Sequence, residues 1–509
     1  MTATMTESLE RRPVPGTDPL ADADGRRGSP YAVLRWLTLA TFVVILNETL
    51  MVNAIPRLMA QFAVTAGAAQ WLSTAFMLTM AVVIPVTGWF LQRATTRQAF
   101  TVAMVAFCGG TLLAAAAPAF WVLVVARIVQ AAGTAVMLPL LMTTVMTVVP
   151  ERDRGRVMGN VTLAISVAPA LGPTVAGLVL QVTGWRWLFL VVLPTAALVT
   201  IAALRRLDNV GQPRPGSVDV LSVVLAAVGF GALVWGLNGL GASSDAPVPP
   251  WASVVAGMAA VGLFAVRQQR LQRRPRGPLL DLRALTHRTF RMALGLQAVA
   301  FLTMMGAMIL LPLYLQGLRG LTPLQTGLLV APGGLAMGLA GPRIGRAYDR
   351  WGARPLIIPG SVAVAAGLIG LGLLGRSTPL AGLVGWHLLI MCGLAMVMPP
   401  AFTLSLGSLP ARLYAHGSSL LGTVQQVAAA VGTALSVAVL TARSTALVAA
   451  GADPAAAAVS GFRWAFAVAA VLALGTVGIA LRLPGRPTPP QENAAAERAD
   501  LEPSTTAFE

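Results

Sequence analysis

"GRAYDRWGAR", residues 345–354, has a partial copy far upstream in "GWFLQRATTR", residues 88–97. Aligned end to end, Gly88 matches Gly345, Arg93 matches Arg350 and Arg97 matches Arg354. Gln92 and Thr95 stand where the second copy has Asp349 and Gly352. Each decapeptide is a short polar island between two long apolar blocks. A repeat of that kind predicts two related halves, provided that the blocks are membrane spans and the islands occupy equivalent loops.

The composition supports spans. Hydrophobic residues make up 56% of the 509, charged residues 11%, and the mean hydropathy is +0.74. This is too apolar for a soluble domain. A helix needs about 20 apolar residues to cross the hydrocarbon core, and blocks of that length recur along the whole chain. The ten-residue alternation of a membrane barrel is absent. Fourteen spans are expected, the first at 36–55, the second at 68–87, the fourth at 121–147, the fifth at 158–180 and the last at 462–481. The fold class is therefore an all-α polytopic membrane protein.

The formal net charge of +17 comes entirely from arginine on the basic side. With both termini inside, 28 arginines fall in inside segments and six outside, namely Arg57, Arg186, Arg319, Arg376, Arg443 and Arg463. That asymmetry is the positive-inside bias and predicts cytoplasmic termini. The basic stretch 267–291 is read as a topology anchor near anionic lipid; it lacks the aromatic interleaving of a nucleic-acid site. Cys108 and Cys392 both fall in expected spans, which gives no disulfide framework. The first apolar run starts too late and runs too long for a cleaved leader.

The decapeptides then set the plan. Each follows the second span of a six-span set. The expected organisation is a disordered cytoplasmic tail at 1–30, a six-helix bundle at 31–206, an inserted helix pair with a basic linker at 207–288, a second bundle at 289–482 and a disordered tail at 483–509. Two six-helix halves related by an axis along the membrane normal are a transporter plan.

Several motifs now carry a resemblance. "GRAYDRWGAR" resembles the Gly-x-x-x-Asp-Arg-x-Gly-x-Arg loop of the major facilitator superfamily, and "RIVQAAG" (127–133) its fourth-helix element. "APALGPTVAG" (168–177), with Gly172, Pro173 and Gly177, is similar to the fifth-helix motif of its antiporters. "LNETLMVNAIP" (46–56) resembles the first-helix motif of the fourteen-helix drug:proton antiporters, with one departure. The usual first-helix Asp is Asn47 here, and the acid is Glu48. One residue turns about 100° around a helix, so Glu48 need not face where the Asp does. The resemblance implies two six-helix bundles plus two inserted helices, and proton-coupled export.

Glu48 is the one acidic residue well inside an expected span. An acid at mid-bilayer costs roughly 2.5–3.5 kcal/mol on insertion scales and should face protein or water. Arg127 is expected at similar depth, about 10 Å below the outer face, which permits a pair. A nearby arginine favours the carboxylate while desolvation favours the acid, and a change of access can switch the balance. Both residues are therefore candidates for proton coupling; the competing reading is a static pair that packs helices. Asp219 needs only the helix dipole to account for it. Asp349 is expected to meet the N-terminal amides of the span that follows it, with Arg346, Arg350 or Arg354 as ionic partners, as part of an inside gate.

Asn47, Asn53, Gln70, Trp71, Gln130, Gln297, Tyr314, Gln425 and Gln426 are candidates to line a central cavity. The 20 methionines offer adaptable apolar surface. The expected function is export of amphipathic small molecules, drugs or antibiotics, across a bacterial plasma membrane by alternating access. The alternative is export of an endogenous metabolite such as a lipid or siderophore. No cofactor is expected, the proton gradient being the energy source. The expected partners are the substrate, protons and lipid, with no nucleic acid. A periplasmic adaptor joins them where the host has an outer membrane; otherwise the protein is expected to be a monomer. A membrane enzyme is disfavoured, since the spans hold no nucleophile–base set or ligand cluster.

Overall fold

The computed structural model describes residues 30–207, 209, 218–240, 248–272 and 277–486. Among them the chain is helical nearly throughout. Thirteen helices are long and apolar enough to cross a membrane. The fifth expected span, 158–180, lies in a further helix of 29 residues, Arg154–Val182.

The first bundle comprises α1 (Pro30–Leu50), a short α2 (Ile55–Phe62), α3 (Ala66–Arg93), α4 (Thr96–Ala116), α5 (Phe120–Val148), α6 (Arg154–Val182) and α7 (Arg186–Arg206). The helices α8 (Val220–Leu240) and α9 (Pro250–Leu271) form a hairpin. The second bundle comprises α10 (Arg288–Leu313), α11 (Pro323–Trp351), α12 (Arg354–Gly372), α13 (Leu380–Gly407), α14 (Tyr414–Ala449) and α15 (Pro454–Arg482).

The two decapeptides end α3 and α11, and their differences now have local causes. Thr95 is the N-cap of α4 in a capping box with Gln98. Gly352 instead sits at φ +81°, a conformation that glycine adopts without penalty. A Cβ there would lie 2.3 Å from the Gly485 carbonyl oxygen, which accepts the Ala353 amide at 2.6 Å. That contact corrects the expected tail. Residues 483–486 are docked on the second loop, and Arg486 donates to the Arg350 carbonyl. The rest of both expected tails, 1–29 and 487–509, lies outside the described residues.

Close helix approach holds the bundles together. A Cβ on Gly133 of α5 would sit 2.3 Å from the Ala103 carbonyl of α4, and one on Gly432 of α14 would sit 2.2 Å from the Leu302 carbonyl of α10. Small residues at such crossings are what membrane helices use in place of a hydrophobic driving force. The α8–α9 hairpin packs through α8 on both α3 and α14, so it touches both halves. Its base is clipped by Asp219, which takes two bonds of 2.7 Å from Arg267 and the Ser222 amide at 3.2 Å. The Arg267 guanidinium holds the Asp219 carboxyl down at about 2. The dipole alone therefore understates Asp219. Gln268 then accepts the amides of Leu279 and Leu280, two buried residues that seat the linker against the core.

Candidate functional site

The first span is not one continuous α-helix to residue 55. α1 stops at Leu50, a 3-10 turn covers Met51–Ala54, and α2 begins at Ile55. Pro56 has no N–H to offer the carbonyl four residues back, and this removes the α-helical bond at that turn. Mid-helix 3-10 segments often mark hinges. Glu48 stands one turn before the break.

Asn47 and Glu48 differ as the 100° step requires. Asn47 is buried on the packed face of α1 with Val44 and Leu50, and its Nδ2 has no partner among the described residues. Glu48 is half-buried and makes no hydrogen bond or ion pair with the described residues. Thr49, next to it, fills the space that a side chain at Gly172 of α6 would need: a Cβ on Gly172 would fall 2.1 Å from Thr49 Oγ1. Gly172 therefore seats α6 against the acid-bearing turn. α6 runs as unbroken helix through Pro169 and Pro173, and Gly177 has open space beside it.

Arg127 is fully buried and already occupied. Its Nη1 donates to Gln130 Oε1 at 3.0 Å, its Nε to the Leu72 carbonyl at 3.5 Å, and its guanidinium lies 4.1 Å from the Phe76 ring centre. Gln130 passes the chain to Thr111 Oγ1 of α4 at 2.9 Å. Glu48 and Arg127 act on one another electrostatically but are not within ion-pair distance. The cation is thus fixed in place while the acid beside it remains unsecured.

The other cavity candidates separate. Gln425 Nε2 donates to Gln297 Oε1 at 3.1 Å across α14 and α10, with Gln426 half-buried alongside. Tyr314 goes elsewhere, a correction to its expected place. Its hydroxyl donates to the Gly375 carbonyl at 2.6 Å and its ring meets Phe462 edge-on, inside the second bundle. Trp71 stacks on Trp235 of α8 at 5.0 Å, so it holds the hairpin. The side chains of Asn53, Gln70 and Pro173 lie outside the described residues.

The halves meet at two seams on the arginine-rich end. Along the first, Gly155 and Gly159 of α6 face Gly345 and Gly341 of α11. A Cβ on Gly345 would be 2.1 Å from the Gly155 carbonyl, and one on Gly159 would be 2.3 Å from that of Gly341. Here Asp349 corrects its expected partner. Its carboxylate accepts the amides of Gly155 and Arg156, each at 2.7 Å, at the N-terminus of α6 in the other half and not at the helix that follows it. Arg346 and Arg350 turn away, to the Pro342 carbonyl and the Trp351 ring, and Arg354 opens α12.

Along the second seam, Gln92 donates to the Arg412 carbonyl at 2.9 Å, and the Gly88 amide donates to Ser419 Oγ at 3.1 Å. Ser419 Oγ in turn donates to the Ile84 carbonyl. Arg93 packs over Trp89, and the Arg97 amide donates to Asn209. Both decapeptides therefore reach across to the opposite half.

Residues 37–433 match the family model of the Major Facilitator Superfamily. The chain belongs to the Major Facilitator Superfamily. Within that superfamily it is 38% identical to the uncharacterised MFS-type transporter YcnB of Bacillus subtilis, over 89% of this chain and 96% of that one. It is 34% identical to the lincomycin resistance protein LmrB of Listeria monocytogenes, over 82% and 88% respectively. The fold matches that of the human organic anion transporter MFSD10 with a TM-score of 0.63 at 15% identity, covering 89% of this chain and all of that one (100%). The protein is thus a multi-pass membrane transporter of this superfamily, with a relative named for lincomycin resistance, and not an enzyme.

Gly345 was expected in the inner gating loop, whereas Gly155, Gly159 and Gly341 were missed from sequence. "GRVMG" (155–159) and "GPRIG" (341–345) carry the small-xxx-small spacing that marks close helix crossings. The N-terminus of α6 as the acceptor's partner had no sequence signal, because Gly155 and Asp349 are 194 positions apart.

Proposed function

We propose that this transporter exports amphipathic small molecules in exchange for protons, by alternating access, with Glu48 as the proton carrier. The observation that carries the reading is the Glu48 carboxyl itself. It is half-buried, without a fixed partner, one turn before a hinge, and beside an arginine whose own bonds are satisfied elsewhere. A carrier acid must gain and lose a proton in each cycle, and a carboxylate locked in an ion pair would resist that exchange.

In the cycle, the arginine-rich end faces the cytoplasm. With that end open, Glu48 releases its proton and substrate enters. Closure of the two seams then turns the site outward, a proton from outside neutralises Glu48, and substrate leaves. No cofactor takes part, and the proton gradient supplies the energy. The lincomycin resistance of the relative supports a drug-like cargo, as does the near absence of fixed negative charge around Glu48. Amide groups at Gln297 and Gln425 offer hydrogen bonds without demanding a charged ligand. The plasma membrane of a bacterium and cytoplasmic termini complete the reading.

The experiment is efflux from proteoliposomes containing the purified chain, with lincomycin as a first probe in a panel of amphipathic compounds. Acid-outside gradients should accelerate efflux of at least one compound, and substrate should drive proton movement in return. Efflux that ignores the pH gradient for every transported compound would overturn the coupling.

A further inference from the structure

His416 lies in the first turn of α14, in the middle of the second seam. It is 3% exposed, and its Nδ1 has no hydrogen-bond partner among the described residues. It faces the opposite half: a Cβ on Gly88 of α3 would stand 3.1 Å from His416 Nδ1. One turn further along α14, Ser419 makes the bonds to Gly88 and Ile84 that tie the same helices. The imidazole is thus shut between two helices that must part when the arginine-rich end opens.

Among the described residues no charged group stands at ion-pair distance from it. α3 brings Arg93, and the 3-10 turn Leu282–Thr286 brings its N-cap Asp281; both act on His416 electrostatically. The turn before α14 carries Arg412. Arg154, 3.5 Å from Glu151, lies over the Tyr414 ring at 5.9 Å. α10 begins with Arg288 and Arg291, the latter donating to the Leu285 carbonyl. α8 has no charged residue, and α13 carries only His387. α5 carries only Arg127, and α15 meets α14 at Leu440 and Ser444, toward the opposite end. A positive charge on an imidazole that is buried between two helices and has no hydrogen-bond partner at Nδ1 among the described residues is poorly accommodated while the seam is shut.

We propose that His416 is a second proton-binding site, which must be empty for the inner gate to close. In the closed state the imidazole is neutral and buried. When the seam parts, water reaches it and it titrates near the ordinary histidine range, about 6.5. Proton binding then holds the gate open, because closing would bury the cation. The linkage has one sign: closure is favoured above that range and lost as the pH falls through it. An acid cytoplasm would thereby stall closure and limit further proton entry. The inference leans on the proposed function only for which compartment supplies the proton; it holds whatever the cargo.

The test is a distance measurement between spin labels at Arg152→Cys and Ala411→Cys, on opposite halves at the arginine-rich end. It uses the full chain in nanodiscs with Cys108 and Cys392 replaced. Between pH 8 and pH 5.5 the parent should shift at least threefold toward the longer distance. His416→Gln, which cannot be protonated, should stay closed across that range. Glu48→Gln should keep a pH-driven shift, because the seam carries its own titrating group, and loss of the whole shift in that variant would assign it to the proposed carrier instead. Asp281→Asn removes an anion that acts on the imidazole and should move the midpoint to lower pH by a measurable fraction of a unit, a check that stands even if His416→Gln fails to assemble. A parent population that ignores pH overturns the proposal. So does a shift that persists unchanged in His416→Gln, or a midpoint that Asp281→Asn leaves in place.

Discussion

Asp349 Oδ1 accepts the Gly155 amide at 2.7 Å across the boundary between the two halves, and Oδ2 accepts that of Arg156 at the same distance. The first amides of a helix have no intrahelical acceptor, and its N-terminus carries partial positive charge. A carboxylate placed there makes two charge-assisted bonds, whose gain is offset in part by the cost of half-burying the charge. The equivalent residue of the first loop, Gln92, makes one neutral bond.

The unequal latches make a prediction. Asp349→Asn keeps the shape but loses the charge, and half of its amide oxygen sites become donors facing donors. Transport should fall by about tenfold or more, since a loss of 1.4 kcal/mol is tenfold in an equilibrium. Gln92→Ala should cost a few-fold at most. Initial efflux rates at matched expression compare the two, and equal rates would remove Asp349 from the gate.

The glycine seam makes another. Gly345→Ala places a methyl 2.1 Å from the Gly155 carbonyl, so α6 and α11 cannot close as they stand. The variant should insert normally yet remain open at the arginine-rich end. A reporter cysteine at Leu163, which packs near Gly338, should then react faster with a thiol reagent added from that side. Unchanged labelling would show that the helices shift to accommodate the methyl.

What could be read in advance divides along physical lines. Thirteen of the spans followed from apolar length and the two halves from matched loops, which are local properties, while the fifth span lies in a helix outside those thirteen. Glu48 and Arg127 stood out because charge in a membrane is costly wherever it lies. Partners were harder. Asp349 resembled a cap for the helix after it, yet the nearer free amides in space belong to α6, and only the tertiary fold brings them there. Tyr314 looked like a cavity residue, but a phenol satisfies its hydroxyl wherever a carbonyl is available, and Gly375 provides one. His416 had no signal at all, lying between "ARLY" and "GSSL" in a turn that sequence alone leaves anonymous.

The hairpin clip should register as pH-dependent stability. The Asp219 carboxyl is held below its ordinary value, at about 2, by Arg267. Its contribution is therefore present above about pH 4 and lost as the pH falls toward the folded value. With a side chain 23% exposed, about 1–2 kcal/mol is expected at neutral pH. Asp219→Asn should lower the thermal midpoint at pH 7 and narrow the gap to the parent as the solution is acidified toward pH 2. A constant gap would mean that the clip contributes through packing alone.

Orientation has a direct check. A single cysteine at exposed Ala450 should react with an impermeant thiol reagent added outside whole cells, and one at exposed Gln269 should not. The reverse pattern would place the arginine-rich end outside.

The central claim is that Glu48 carries the proton, and one measurement tests it most directly: substrate efflux from proteoliposomes with and without an imposed pH gradient, for the parent and for Glu48→Gln. The amide keeps the shape of the side chain but never ionises. Two ligands couple only by biasing a shared two-state element, so removing one should leave downhill movement alone. The account predicts that the gradient accelerates the parent and leaves Glu48→Gln unchanged, with Arg127→Ala impaired to a lesser degree. If Glu48→Gln responds to the gradient as the parent does, the proton travels by another group and Glu48 is a packing residue.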